Sequence, residues 1–224
     1  MSNLRDAIVR MALRRPYLYL LVTLVISIVL MEVLVEIAEH TFIKPALQQL
    51  ELQFIAYVQQ FVTPPLTAEV MLVTASGSST FYLLASALVC CWYLYSRQKD
   101  RLYLYLVCLC GGGILNQVLK RIFERVRPDI FPVIAESGYS FPSGHAMGAI
   151  CFYGNLAYFT GLGLRSKPLR WGLMAAAGIY ILLIGLSRVY LGVHYPTDIL
   201  AGYAAGATWL FFCITLHRIF RKRY

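Results

Sequence analysis

The stretch SRVYLGVHYPTD, Ser187 to Asp198, joins two apolar runs through a corner that carries an arginine, a histidine and an aspartate. Pro196 disfavours helix at Tyr195 and suits the first turn of a new helix. The reading therefore puts His194 on a bend and Asp198 just inside the helix that follows. Arg188 falls in the last turn of the run before the corner. Ionisable groups at the end of a membrane segment are costly, so their presence implies use. An imidazole backed by a carboxylate four residues on has the pattern of a nucleophile with its orienting partner. The competing reading is a histidine and an aspartate that merely cap a helix entrance.

The two flanking runs are part of a larger pattern. The 224-residue chain is 59% apolar and only 14% charged, a balance foreign to soluble domains. Six stretches approach the ~20 residues needed to cross a bilayer: Tyr17–Val35, Val70–Tyr95, Leu102–Leu119, Ala146–Leu164, Trp171–Gly192 and Ile199–Leu216. A backbone in hydrocarbon must satisfy its own hydrogen bonds, so these are helices. The expectation is an all-α integral membrane protein with six transmembrane helices, one domain over residues 1–224. Between His40 and Pro65, Leu47, Leu50, Phe54, Val58 and Phe61 recur at helical spacing with glutamines opposite them. This predicts an interfacial helix after the first span, packing its apolar side over the bundle or steering an acyl chain.

A formal charge of +9 suggests nucleic acid until the basic residues are located. Most fall in four short segments: Arg5, Arg10, Arg14 and Arg15; Arg97, Lys99 and Arg101; Arg165, Lys167 and Arg170; Arg218, Arg221, Lys222 and Arg223. These alternate with the spans as cytoplasmic loops do, which puts both termini in the cytoplasm and makes the bilayer, with no nucleic acid, the partner. The six cysteines lie in the spans without C-x-x-C spacing and read as packing residues. Glu32, Glu36 and Glu39 share one helical face and read as an interfacial stripe. The polar patch TASGSST, Thr74 to Thr80, reads as a close helix contact, with pocket lining as the alternative. Gly111–Gly113 and the Gly202, Gly206 pair read as points of close helix approach.

The stretch KRIFERVRP, Lys120 to Pro128, breaks the charge pattern. Each arginine or lysine at the bilayer centre costs about 2.5 to 3.5 kcal/mol, so this segment must emerge or line a polar cavity. Further on, FPSGH, Phe141 to His145, opens the fourth span with Ser143 as a helix cap, and free N–H groups at a helix start favour an anion. Counting sides of the membrane puts Lys120, Arg127, Ser143, His145, Arg188, His194 and Asp198 on one outer face. Arg127 and Arg188 suit phosphate oxygens through paired donors, and Lys120 adds a point charge. Neutral His194 is then the nucleophile toward phosphorus, held by Asp198, while His145 protonates the leaving oxygen and later activates water. Metal is not expected, because three cations would repel the ion and no H-E-x-x-H or carboxylate cluster is present. Nor does the pattern call for a cofactor. A non-hydrolytic lipid-phosphate binder or transporter is the alternative, although binding alone needs no nucleophile.

Together, Lys120-x6-Arg127-Pro128, Pro142-Ser143-Gly144-His145 and Ser187-Arg188-x5-His194-x3-Asp198 resemble the three-part signature of the type 2 phosphatidic acid phosphatase superfamily. The signature occupies residues 120–198. Within that superfamily the short layout resembles the bacterial phosphatidylglycerophosphatase B and undecaprenyl pyrophosphate phosphatase branches. The resemblance implies a multi-pass, metal-independent membrane phosphatase with His194 as nucleophile and His145 as acid. It further implies that Lys120, Arg127, Ser143, Gly144 and Arg188 bind the phosphate of a lipid substrate. A bacterial cytoplasmic membrane, with the site on its extracytoplasmic side, is the implied location. Oligomeric state is not legible.

Overall fold

The protein is described from a computed structural model over residues 16–43, 45–129 and 132–221. All regular structure among these residues is helical: α1 Pro16–Ile43, α2 Pro45–Gln59, α3 Pro64–Ala75, α4 Ser79–Tyr95, α5 Lys99–Phe123, α6 Gly144–Ala149, a π-helical segment Ile150–Gly154, α7 Asn155–Gly163, α8 Lys167–Tyr190 and α9 Pro196–Arg221. The helix starts are chemically marked. Pro64 and Pro65 open α3, Ser78 accepts the Phe81 N–H at the start of α4, and Ser166 followed by Pro168 caps α8. Such residues suit first turns, where backbone N–H groups lack helical partners. Arg5, Arg10, Arg14, Arg15, Lys44, Lys222 and Arg223 lie outside the described residues.

Four helices are long and apolar enough to cross a membrane, namely α1 over Leu21–Thr41, α5, α8 and α9 over Pro196–Ile219. A fifth crossing exists if α3 and α4, bent by 51° across Ser76–Ser78, count as one. Two of the six predicted stretches are thus interrupted. In the second, the break falls inside TASGSST, where Gly77 lies so close to α8 that an added Cβ would sit 2.6 Å from Ile184. In the fourth, the helical turns from Gly144 to Gly163 are divided by the π-helical segment, the kind of bulge that often accompanies functional sites.

The most enclosed of the four long helices is α9, with 44% of its apolar window buried against 18% for α1. Small residues make this possible. A Cβ on Gly202 would come 2.7 Å from the Ser143 carbonyl oxygen, and one on Gly206 would come 2.9 Å from that of Met147. The two glycines therefore seat the Ser143–Ile150 backbone directly on α9, a close approach that larger side chains forbid. Ala201, Ala204 and Ala205 pack with Leu34 and Ala38 of α1 and with Met147 and Phe141. Of the glycine triplet in α5, Gly111 receives Trp209 and Gly112 receives Cys151, while Gly113 has open space beside it. Glu32, Glu36 and Glu39 are all exposed on α1.

Helix α2 exists as expected but is turned differently. Leu50, Phe54 and Phe61 are 61%, 46% and 54% exposed, whereas Glu51 and Ile55 are buried. The face read as packing over the bundle is largely the outward one. Between apolar helices and apolar lipid there is no hydrophobic preference for one side, so the charged residue decides, and Glu51 turns inward to a buried arginine.

Candidate active site

The corner at Ser187–Asp198 is built by two ordinary devices. Helix α8 closes at Leu191, and Gly192 adopts φ 72°, a left-handed conformation that favours glycine. Pro196 then starts α9, leaving His194 on the bend and Asp198 in the first turn of the helix. His194 and Asp198 are 1% and 0% exposed. The imidazole Nδ1 lies 3.2 Å from Asp198 Oδ2, which also accepts the Tyr195 N–H at 2.9 Å. A carboxylate offers only lone pairs, so Nδ1 carries the proton and Nε2 presents its own lone pair. Burial pushes the His194 pKa down to about 4, against the upward pull of Asp198, and the ring is neutral at physiological pH.

Arg127 joins His194 to the rest of the site. Its Nη1 lies 3.2 Å from His194 Nε2 and donates to the Val193 carbonyl at 2.9 Å. Its other donors serve the Gly138, Ser137 and Tyr139 carbonyls and the Glu136 carboxylate. Lys120, in the last turn of α5, donates to the Tyr139 carbonyl. Arg188, near the end of α8, is buried, donates to Thr74 Oγ1 at 2.7 Å and forms an ion pair with Glu136. Its Nε has no hydrogen-bond partner among the described residues.

Lys120, Arg127, Glu136, Gly144 and His145 are among the residues that line a cavity of about 430 Å³. Helix α6 carries His145 into it, and Gly77 leaves room for the ring, since a Cβ there would lie 3.0 Å from the imidazole. A Cβ on Gly144 would meet Asn116 Oδ1 at 3.1 Å. Ser143 is fully buried; its hydroxyl accepts the Ala146 N–H at 3.4 Å, and its own N–H donates to the Asp198 carbonyl at 2.9 Å. Ser143 thus ties α6 to the start of α9. Lys120, Arg127, Gly144 and His145 share the cavity wall, while Arg188 joins them through Glu136 and His194 through Arg127.

Four residues of this network are not singled out by the sequence, Thr74 standing out there only as part of the TASGSST patch. Arg125 donates to Asp198 Oδ1 and to Glu51 Oε2, both at 2.6 Å, and stacks over Tyr195 with its guanidinium carbon 3.8 Å from the ring centroid. Glu51 Oε1 in turn accepts the Thr197 N–H at 3.0 Å. A chain of groups runs from His194 through Asp198 and Arg125 to Glu51 on α2. Its signal in the sequence was Arg125 itself, a cation two residues before Arg127 in an apolar chain, which demands a buried carboxylate. Thr74 shows that the TASGSST patch contributes to the site as well as to packing. Glu136 is the fourth.

A neutral imidazole locked by a carboxylate, joined through Arg127 to a cavity that holds a second imidazole and further cationic donors, suits transfer of a phosphoryl group. Among the described residues, no three histidine, cysteine, aspartate or glutamate side chains gather as a metal site. Residues 101–222 match the model of the PAP2 superfamily, and the chain belongs to that family. It is a phosphatase of the PAP2 type, with a membrane PAP2 fold. Over 156 residues it is 40% identical to phosphatidylglycerophosphatase B of Bacillus subtilis, covering 68% of this chain and 76% of that protein. It is 34% identical to decaprenylphosphoryl-5-phosphoribose phosphatase of Mycobacterium tuberculosis over 151 residues, 62% of this chain and 76% of the other. The crystal structure of a transmembrane PAP2-type phosphatidylglycerolphosphate phosphatase from Bacillus subtilis superposes with a TM-score of 0.79 at 32% identity, covering 88% of this chain and 96% of that one.

Proposed function

We propose that the protein hydrolyses the terminal phosphate of a phospholipid or isoprenoid phosphate through a phosphohistidine on His194, without a metal ion. The observation that carries this reading is the cavity itself. Lys120, Arg127 and His145 line it together with Leu83, Leu109 and Tyr82, a lining that offers contacts to both a charged head and an apolar tail. Phosphate oxygens take the donors of Arg127, Arg188 and Lys120, and Arg127 leaves Nε2 as it turns to them. Nε2 attacks phosphorus, the ester P–O bond breaks, and the departing oxygen takes a proton from His145. Neutral His145 then removes a proton from water, whose oxygen attacks the phosphohistidine; the N–P bond breaks and inorganic phosphate leaves. A bound dianion beside the His145 ring favours the protonated form that donates. Asp198 holds His194, Arg188 steadies the equatorial oxygens, and Gly144 and Ser143 keep the helix start against them.

The same reading makes the chain one membrane unit crossing six times, the bent α3–α4 pair and the Gly144–Gly163 segment each counting once. The site gathers at the end of α5 and α8 and the start of α9, away from Lys99, Arg101, Lys167, Arg170 and Arg218 at the other ends of those helices. If those basic residues lie in the cytoplasm, so do both termini, and catalysis takes place on the extracytoplasmic face of a bacterial inner membrane. Purified protein in detergent with EDTA is expected to release phosphate from a long-chain lipid phosphate. Gly113, which lines the cavity and has open space beside it, supplies the variant. Gly113→Phe should raise KM for that lipid by about tenfold or more and leave a soluble short-chain phosphate ester nearly unaffected. No phosphate release with EDTA, or equal effects on both substrates, contradicts the reading.

A further inference from the structure

Three cations in a membrane site attract any phosphate headgroup, and most headgroups of a bilayer are phosphodiesters carrying a single negative charge. The site already contains an anion of that charge. Glu136, on the loop between α5 and α6, turns its carboxylate into the cavity between the two guanidinium groups. One oxygen lies 3.3 Å from Arg127 Nη2, and the other forms the ion pair with Arg188. One oxygen of Glu136 thus takes a donor of Arg127, and the other stands against Arg188 as an ion pair without a hydrogen bond, while Arg188 Nε lacks a hydrogen-bond partner among the described residues.

We propose that Glu136 is a specificity-determining residue, a built-in counter-ion that admits a doubly charged terminal phosphate and rejects singly charged phosphodiester headgroups. The inference rests on the phosphatase reading above for its substrate. A diester that displaces the carboxylate exchanges one negative charge for another and gains no net attraction from the two arginines. It also has to free Glu136 from partners at ion-pair distance. A phosphomonoester carries about −1.5 to −2 at neutral pH and has three terminal oxygens, so it brings more charge and more acceptors than it displaces. The same contact keeps Arg127 and Arg188, 12% and 3% exposed, from standing as uncompensated buried charges in the empty site.

Two ligands with matched dodecyl tails separate charge from shape: 1,1-difluorododecylphosphonate, non-hydrolysable and dianionic at neutral pH because its fluorines lower the second pKa, and dodecyl methyl phosphate, a diester monoanion. Their affinities for the full chain in nonionic detergent micelles are measured by titration calorimetry. Wild-type protein is expected to bind the dianion and to hold the diester only weakly, and Glu136→Gln, which removes the displacement cost, to tighten the diester by at least about tenfold. Glu136→Asp, which keeps the charge, should leave diester affinity within about threefold of wild type and controls for a disturbed loop. Diester affinity unchanged in Glu136→Gln, or raised equally in Glu136→Asp, overturns the proposal. Neither ligand is turned over, so failure of the phosphatase reading would show separately, as wild-type protein that binds the dianion but releases no phosphate from a lipid phosphomonoester.

Discussion

His194→Ala is expected to lower phosphate release by on the order of 10³-fold or more while the protein stays folded. The loss follows from the proposed role of Nε2, which lies against Arg127 on a ring held neutral by its burial. His145→Ala should behave differently. As general acid it is worth roughly 10² to 10⁴-fold, and a substrate whose leaving group needs no proton, such as an aryl phosphate, should recover much of the first step. Recovery with an aryl ester in His145→Ala but not in His194→Ala separates the two roles. A His194→Ala variant with near-normal turnover removes the nucleophile from the account.

The second large effect is expected at Arg125. This side chain is 8% exposed and lies between Asp198 at 0% and Glu51 at 4%. Arg125→Met leaves two carboxylates buried without their cation, a change that typically costs about 3–5 kcal/mol. Asp198, freed from Arg125, also loses one of the partners that fix its grip on His194. We therefore expect a lower unfolding midpoint together with a fall in kcat larger than any rise in KM, because the phosphate-binding cations are untouched. Arg125→Lys should restore part of the stability but less of kcat, since one ammonium cannot match the forked contact with both carboxylates. Wild-type stability and turnover in Arg125→Met would show that the chain from His194 to Glu51 does no positioning.

Much of the site was legible because charge is sparse in this chain. Against 59% apolar residues, Lys120, Arg127, Arg188, His194 and Asp198 stand out, and Pro196 fixes the bend that presents His194. What stayed hidden depends on partners distant in sequence. Glu51 and Arg125 are 74 residues apart, and nothing local says that a glutamate on α2 closes a network around Asp198. Helix α2 itself was turned the wrong way, since an apolar stripe marks the buried face in water but not in lipid. Span count suffered from a related ambiguity. Length and hydropathy identify α1, α5, α8 and α9, whereas the breaks at Ser76–Ser78 and Ile150–Gly154 lie where Gly77 and Gly206 bring segments distant in sequence into close contact. Nothing local singles out Glu136, because an anion inside an anion-binding site is recognisable only once its arginines are in place.

The central claim is that His194 becomes phosphorylated during turnover. Rapid quenching of His145→Ala protein with a radiolabelled aryl phosphate in EDTA, followed by peptide mapping, tests it most directly, because that leaving group needs no acid in the first step while loss of the general base slows hydrolysis of the intermediate. The account predicts an acid-labile, alkali-stable label on the peptide that carries His194, absent when His194 is also replaced by alanine. Turnover without a labelled intermediate, a label on another residue, or turnover that requires a divalent ion would contradict it.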